Sequence, residues 1–185
     1  MDISDFIIKY HPEYQIISVQ NFHHVNLQER ILINNSIEEN YLKYRNSTIS
    51  YNFPIHEDST LFFSKLYEKY KELCYQIFGN FYIAPQNKTT CWCYRSNIDD
   101  SVFAWHNHLY TSTINGVYYY QVEGENDGTL FERDGKEYCH LPQQGELLIF
   151  PNDLNHTCYK TTSKTWRYSI NMEIITKEPA SILFK

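Results

Sequence analysis

Between Leu61 and Phe78, apolar residues recur at the three- and four-residue spacing of one helix face: Leu61, Phe62, Leu66, Tyr70, Leu73, Ile77 and Phe78. Lys65, Glu68, Lys69, Lys71 and Glu72 fall on the other side. Asp58-Ser59-Thr60 offers capping oxygens and Gly79 a stop, so the pattern predicts a helix over about 59–78 that packs on a sheet. Upstream the signal is weaker: Tyr14 to Val19 reads as a short strand, and Asn26 to Tyr44 has room for a helix. From Asn87 onward the texture changes to short β-rich runs. These are Thr89 to Tyr94, Thr113 to Val122, Thr129 to Phe131, Lys136 to His140, Leu147 to Phe150, Thr157 to Tyr159 and Trp166 to Ile175. Turn-forming residues separate them at Asn126-Asp127-Gly128, Asp134-Gly135, Pro142 to Gly145 and Pro151-Asn152-Asp153.

Roughly seven short strands preceded by helical material predict a mainly β domain, a sandwich or jelly roll with an α-helical flank. No repeat, low-complexity tract or linker divides the 185 residues, so a single domain is expected over 1–185. Within it, residues 1–85 form a mixed N-terminal part and 87–176 the β core. That length buries a core without disulfide staples. Seventeen Tyr and eleven Phe suit broad strand surfaces, although a codon bias in the genome gives the same enrichment.

The formal charge of −6, with Lys and Arg scattered, argues against non-specific binding to nucleic-acid phosphates. No apolar run approaches the ~20 residues that cross a bilayer, and Met1 to Asp5 lacks the basic and apolar regions of a signal peptide. Five cysteines, an odd number, include one close pair, Cys91 and Cys93, which share a strand face rather than forming a zinc knuckle. A cytoplasmic, reducing setting with free thiols is the expectation.

Candidate chemistry begins at Trp105-His106-Asn107-His108. In an extended backbone, residues i and i+2 project from one face, so His106 and His108 place two imidazoles side by side. Neutral imidazole suits iron, zinc, copper and nickel, although two surface histidines near a turn have the same spacing. Gly145 to Pro151 reads as turn, buried strand and stop, and His156 follows at the start of another strand. Arg167 and Ser169 are again an i, i+2 pair. If His108 and His156 lie on facing strands, Arg167 sits deeper in the same cavity. A lone arginine on an inner β face is costly without an anion, and its planar fork fits a carboxylate with a hydroxyl such as that of Ser169 helping. A salt bridge to an internal acid is the competing role for Arg167.

This succession resembles the double-stranded β-helix (a jelly roll, cupin-like) of the 2-oxoglutarate- and Fe(II)-dependent oxygenases, and within them a bacterial and phage branch with a His-x-His motif. The matching stretches are His106-Asn107-His108, Asn115-Gly116-Val117-Tyr118-Tyr119, Gly128-Thr129-Leu130-Phe131, Gly145 to Pro151, His156 and Arg167-Tyr168-Ser169-Ile170-Asn171. They span about Thr89 to Ile175, half the chain, with N-terminal helices outside the resemblance. What it implies is a hydroxylase-like dioxygenase using Fe(II) and the cosubstrate 2-oxoglutarate, releasing succinate and CO2 while oxidising a small molecule or a peptide or protein side chain. It further implies that His106 and His156 are metal ligands, with His108 where most of the superfamily has an Asp. Arg167 and Ser169 take the distal carboxylate of 2-oxoglutarate, and Tyr94 and Tyr119 stand beside it. On this reading Asp99 or Asp100 accepts a proton from a ligating imidazole, and Phe103, Trp105, Tyr110 and Tyr120 form pocket walls.

Two other readings fit parts of the pattern. A cupin-type enzyme can use three histidines, and Pro151 to His156 is similar to the second cupin motif. However, no Glu follows His108 closely and Arg167 has no role there. In a non-catalytic β-sandwich binding module the histidines are incidental, and no stoichiometric metal is retained.

Overall fold

A computed structural model describes residues 3–44, 61–84, 91–96, 104–123, 127–158 and 165–185. In chain order the elements are β1 (Ile7–His11), β2 (Ile16–Gln20), α1 (Leu27–Tyr44), α2 (Phe62–Phe78), β3 (Cys91–Ser96), β4 (Ile114–Gln121), β5 (Thr129–Arg133), β6 (Lys136–His140), β7 (Leu147–Pro151), β8 (Asn155–Cys158), β9 (Arg167–Ile174) and α3 (Ala180–Leu183). Six strands form one antiparallel sheet in the order β1-β2-β7-β4-β9-β3, and three form a smaller one in the order β6-β5-β8. This is the jelly roll with helical flank that the sequence predicts.

Strand alternation divides the interior into two cores. Cys91 and Cys93 of β3, Tyr118 and Tyr120 of β4, Leu147 and Ile149 of β7, and Ile170 and Met172 of β9 turn to the helices. There they meet Phe63, Leu66, Tyr70 and Leu73 of α2. The residues between, Val117 and Tyr119 of β4 and Leu148 and Phe150 of β7, face the smaller sheet and pack with Tyr14, Ile16 and Phe131. β7 is buried on both sides, which is why it reads as an unbroken apolar run. Each such side chain contributes on the order of 1.5–3 kcal/mol when fully buried.

Helix α2 begins at Phe62, three residues later than the spacing predicts. Leu61 precedes it in a left-handed conformation with no side-chain cap. The predicted capping residues Asp58, Ser59 and Thr60 lie outside the described residues. Gly79 ends the helix with φ 77, the positive value that favours glycine. Tyr70 lies flat on β4 at Gly116, where a Cβ would come within 2.8 Å of the tyrosine ring, and its hydroxyl donates to the Ile114 carbonyl.

Helix α1 sends, among its described residues, only Ile33 and Ile37 into the helix-side core and is fastened by polar contacts as well. Tyr168 Oη donates to Glu38 Oε1 at 2.6 Å, Tyr120 Oη donates to Asn34 Oδ1 at 2.7 Å, and Arg95 pairs with Glu38. Tyr120 therefore belongs to the helical layer, which corrects its assignment as a pocket wall: in β4 its side chain alternates away from the gap between the sheets. Strand β1 was not legible because its residues are mostly exposed and carry no alternation.

Candidate metal centre and carboxylate pocket

The smaller sheet is extended at its β8 edge by one residue. His106 forms an antiparallel bridge with His156, donating N–H to its carbonyl at 3.1 Å and accepting in return at 2.9 Å. Directly opposed residues of an antiparallel pair project to the same side, and the two rings stand 4.4 Å apart between centroids. The chain then turns: His108 N–H donates to Asn152 O at 2.8 Å, and Thr111 and Ser112 N–H donate back to His108 O. This turn carries the third ring over the other two. His108 Nε2 lies 3.3 Å from His156 Nε2, and one nitrogen from each of the three rings lies within 4.8 Å of the others.

Every ring is held in the same tautomer. His106 Nδ1 faces Ala104 O at 2.9 Å and His156 Nδ1 faces Leu154 O at 3.0 Å. A carbonyl only accepts, so both Nδ1 atoms carry the proton and each Nε2 is left as the acceptor nitrogen of its ring. His108 Nδ1 faces the Glu173 carboxylate at 2.6 Å, with the same consequence. One nitrogen from each ring thus converges on a common point, the arrangement a shared cation needs. The 3.3 Å between the His108 and His156 nitrogens is short enough for both to be ligands of one metal ion. Burial, reinforced by its two histidine neighbours and opposed by the bond to Leu154, pushes His156 down to about 3. Partial burial and His108 lower His106 as well. Both rings are neutral at pH 7, the form that binds metal.

Behind the histidines, a cavity of about 180 Å³ runs between the sheets. Strand β9 supplies Arg167, Ser169 and Asn171 to it, β3 supplies Trp92 and Tyr94, and the smaller sheet supplies Thr129 and Cys158. Arg167 is 2% exposed, and its Nε and Nη1 have no hydrogen-bond partner among the described residues. A guanidinium left this way costs on the order of 1–3 kcal/mol or more for unmet donors alone, a cost that an anion with acceptor oxygens would offset. Arg167 pairs in register with Ser96 of β3, and Ser169 with Tyr94. The hydroxyl of Tyr94 lies 3.7 Å from Cys158 Sγ.

Of the residues singled out in the sequence, His106, His108, His156, Arg167, Ser169 and Tyr94 line this one cavity. Tyr119 stands one layer back: its hydroxyl meets Thr129 Oγ1 at 2.6 Å, and Thr129 faces the cavity. Trp105 is partly exposed and Tyr110 is 98% exposed, so neither closes the pocket. Asp99, Asp100 and Phe103 lie outside the described residues. Sequence reasoning missed Glu173 as the acceptor for His108. It also missed the wall residues Trp92, Thr129 and Cys158. The signal for Glu173 was present: Arg167, Ser169, Asn171 and Glu173 are a polar series at period two, interleaved with Tyr168, Ile170, Met172 and Ile174 of the helix-side core.

The scan of protein families finds no match to this sequence, and the search of curated proteins finds none either. Solved structures do match. The chain is similar to a prolyl hydroxylase from Trichoplax adhaerens in complex with a hypoxia inducible factor oxygen degradation domain peptide fragment, with a TM-score of 0.65, 13% identity, and coverage of 91% of this chain and 87% of that one. It is similar to a prolyl 4-hydroxylase from Phytophthora capsici, with a TM-score of 0.63, 11% identity and coverage of 91% of this chain and 61% of that one. A 2OG-Fe(II) oxygenase family oxidoreductase from Burkholderia pseudomallei gives a TM-score of 0.58 at 11% identity, covering 88% of this chain and 85% of that one. Identities this low carry the fold and nothing finer. The chain has the fold of the 2-oxoglutarate- and Fe(II)-dependent oxygenases, with a candidate three-histidine metal site.

Proposed function

We propose that this chain is an Fe(II)- and 2-oxoglutarate-dependent oxygenase in which His106, His108 and His156 hold the metal and Arg167, helped by Ser169, anchors the distal carboxylate of the cosubstrate. The observation that carries this reading is the buried Arg167 guanidinium, whose Nε and Nη1 have no partner among the described residues, in the same cavity as three histidines with converging ring nitrogens. The donor set fits the metal, and the orphaned donors fit a carboxylate. Fe(II) and 2-oxoglutarate held there would supply an oxidation with O2 as the oxidant, one oxygen atom going to 2-oxoglutarate to give succinate and CO2 and the other to the substrate.

The chain's own residues bind, orient and desolvate. The guanidinium of Arg167 grips a carboxylate through parallel N–H bonds, each contributing about 1.5–3 kcal/mol, and Ser169 Oγ adds a donor from the same strand face. The Tyr94 hydroxyl and the Thr129 hydroxyl, the latter oriented by Tyr119, line the polar side of the pocket. Trp92 and Val117 are its apolar walls, which exclude water and strengthen the electrostatics inside. Three fixed tautomers keep the metal-facing nitrogens deprotonated without any group having to move.

The substrate class is a small molecule or a peptide or protein side chain. The peptide complex of the Trichoplax neighbour favours a peptide or protein side chain, as do the exposed Trp105, Leu109 and Tyr110 beside the histidines. All five cysteines are free thiols and, among the described residues, no helix is long and apolar enough to cross a membrane, which fits a reducing cytoplasmic setting.

Calorimetric titration of 2-oxoglutarate into Mn(II)-loaded protein tests the anchor. One-site binding that requires metal is expected, weakened at least tenfold in Arg167→Ala while metal content stays unchanged. Loss of metal in that variant with unaltered cosubstrate affinity would make Arg167 a structural residue.

A further inference from the structure

Three neutral imidazoles leave a divalent metal with its full charge of two, whereas a set that includes a carboxylate leaves one. The polar series of β9 places a carboxylate next to this centre without adding it to the ligand cluster. Glu173 Oε1 lies 2.6 Å from His108 Nδ1 and also accepts from the Thr111 hydroxyl at 3.2 Å. Its backbone is fixed from the other side of the sheet, where the Tyr67 hydroxyl donates to its carbonyl at 2.8 Å. Glu173 is 8% exposed, and its ionic partner among the described residues is His108. A carboxylate this buried is costly unless its charge is met. A neutral imidazole meets it only in part. An imidazole with a cation on its far nitrogen meets it far better, because the charge passes along the ring from metal to Nδ1–H to carboxylate.

We propose that Glu173 is the carboxylate of this centre at one remove. It accepts the Nδ1–H of His108, holds the tautomer that presents Nε2 to the metal, and supplies through that bond the negative charge that a directly bound carboxylate gives elsewhere. This rests on the three-histidine reading of the site. It accounts for a histidine where an acid is expected: the acid stands behind the histidine, on the strand that also carries Arg167 and Ser169. Glu173 is a positioning residue, and His108 and Glu173 act as one unit.

The test is a double-variant cycle read by Co(II), whose affinity and visible ligand-field spectrum report the ligand set without turnover. Glu173→Gln keeps an acceptor oxygen and removes the charge, while Glu173→Ala removes both. Loss of such a partner typically costs 10–100-fold in metal affinity. Glu173→Ala is expected in that range, and Glu173→Gln is expected to lose affinity by about tenfold with a shifted Co(II) spectrum. In a His108→Ala background neither change should alter affinity further. The melting temperature of each metal-free variant shows that it is folded; if Glu173→Ala is not, Glu173→Gln and the His108→Ala pair decide. Wild-type affinity and an unchanged spectrum in Glu173→Gln would overturn the proposal, as would an equal loss in the presence and absence of His108. Failure of the unaltered protein to bind Co(II) at all would instead sink the three-histidine reading on which it rests.

Discussion

Replacing Arg167 by methionine exchanges a buried cation, whose Nε and Nη1 have no partner among the described residues, for an apolar side chain of similar length. A residue kept for packing loses stability on such a change, whereas one kept for a ligand does not. We predict that Arg167→Met is as stable as the parent protein or more so, by up to a few kcal/mol, and that 2-oxoglutarate binding is lost. A clear fall in its denaturation midpoint would contradict this. His156 gives a second prediction through its proton. Its imidazole is lowered from 6.5 to about 3 by burial, so between those values the unfolded chain binds one proton more than the folded chain. Stability of the metal-free protein should therefore be complete above pH 6.5 and fall as the pH drops toward 3. Urea midpoints across this window should fall less steeply for His156→Asn, and parallel slopes would remove the burial argument. The residues with the most distinctive chemistry were legible because their spacing carries direction: His106 and His108, and Arg167 and Ser169, are two apart on extended backbone. Glu173 shares that spacing as the last of the series Arg167, Ser169, Asn171 and Glu173, but its role as an acceptor depends on the partner it faces, His108, which spacing along one strand does not contain.

Gly116 shows how element packing holds the site in place. Tyr70 occupies the space a side chain there would take, and β4 lies against both β7 and β9. Gly116→Ala must push the ring aside or shift β4, and an overpacked core costs about 1–3 kcal/mol. A lower melting temperature is expected, partly restored by adding Tyr70→Leu; a fully stable Gly116→Ala would mean that helix and sheet are not in close contact there. The strands around this point were readable because β-branched and aromatic runs alternate with turn residues. What escaped was of two kinds. Strand β1 contributes almost nothing to either core and so has no pattern. The left-handed Leu61 that precedes α2 is a backbone conformation that helix periodicity does not contain. Tyr119 and Tyr120 illustrate the limit within one run: three tyrosines in succession must alternate between two interiors, and the register that sends Tyr120 to the helices is set by pairing with β9.

Across the whole molecule, the histidines join the two sheets. His106 and His156 belong to the smaller sheet, while His108 is tied through Glu173 to β9 of the larger one. A metal held by all three is a clamp across the sandwich, so its binding free energy adds to the stability of the entire fold. At free metal one hundredfold above Kd the gain is about 2.7 kcal/mol. Anaerobic Fe(II) or Co(II) should raise the melting temperature of the protein and leave that of His156→Ala unchanged; an equal rise in both would place the metal elsewhere. A cupin-like centre would show the same clamp, but it assigns nothing to Arg167. The separating measurement is an anaerobic titration with Fe(II) and then 2-oxoglutarate, followed by the weak visible charge-transfer band of their chelate. A band that saturates near one equivalent, is absent in His156→Ala and needs far more 2-oxoglutarate in Arg167→Ala is the predicted result. Tight iron binding with no band at any 2-oxoglutarate concentration would contradict it.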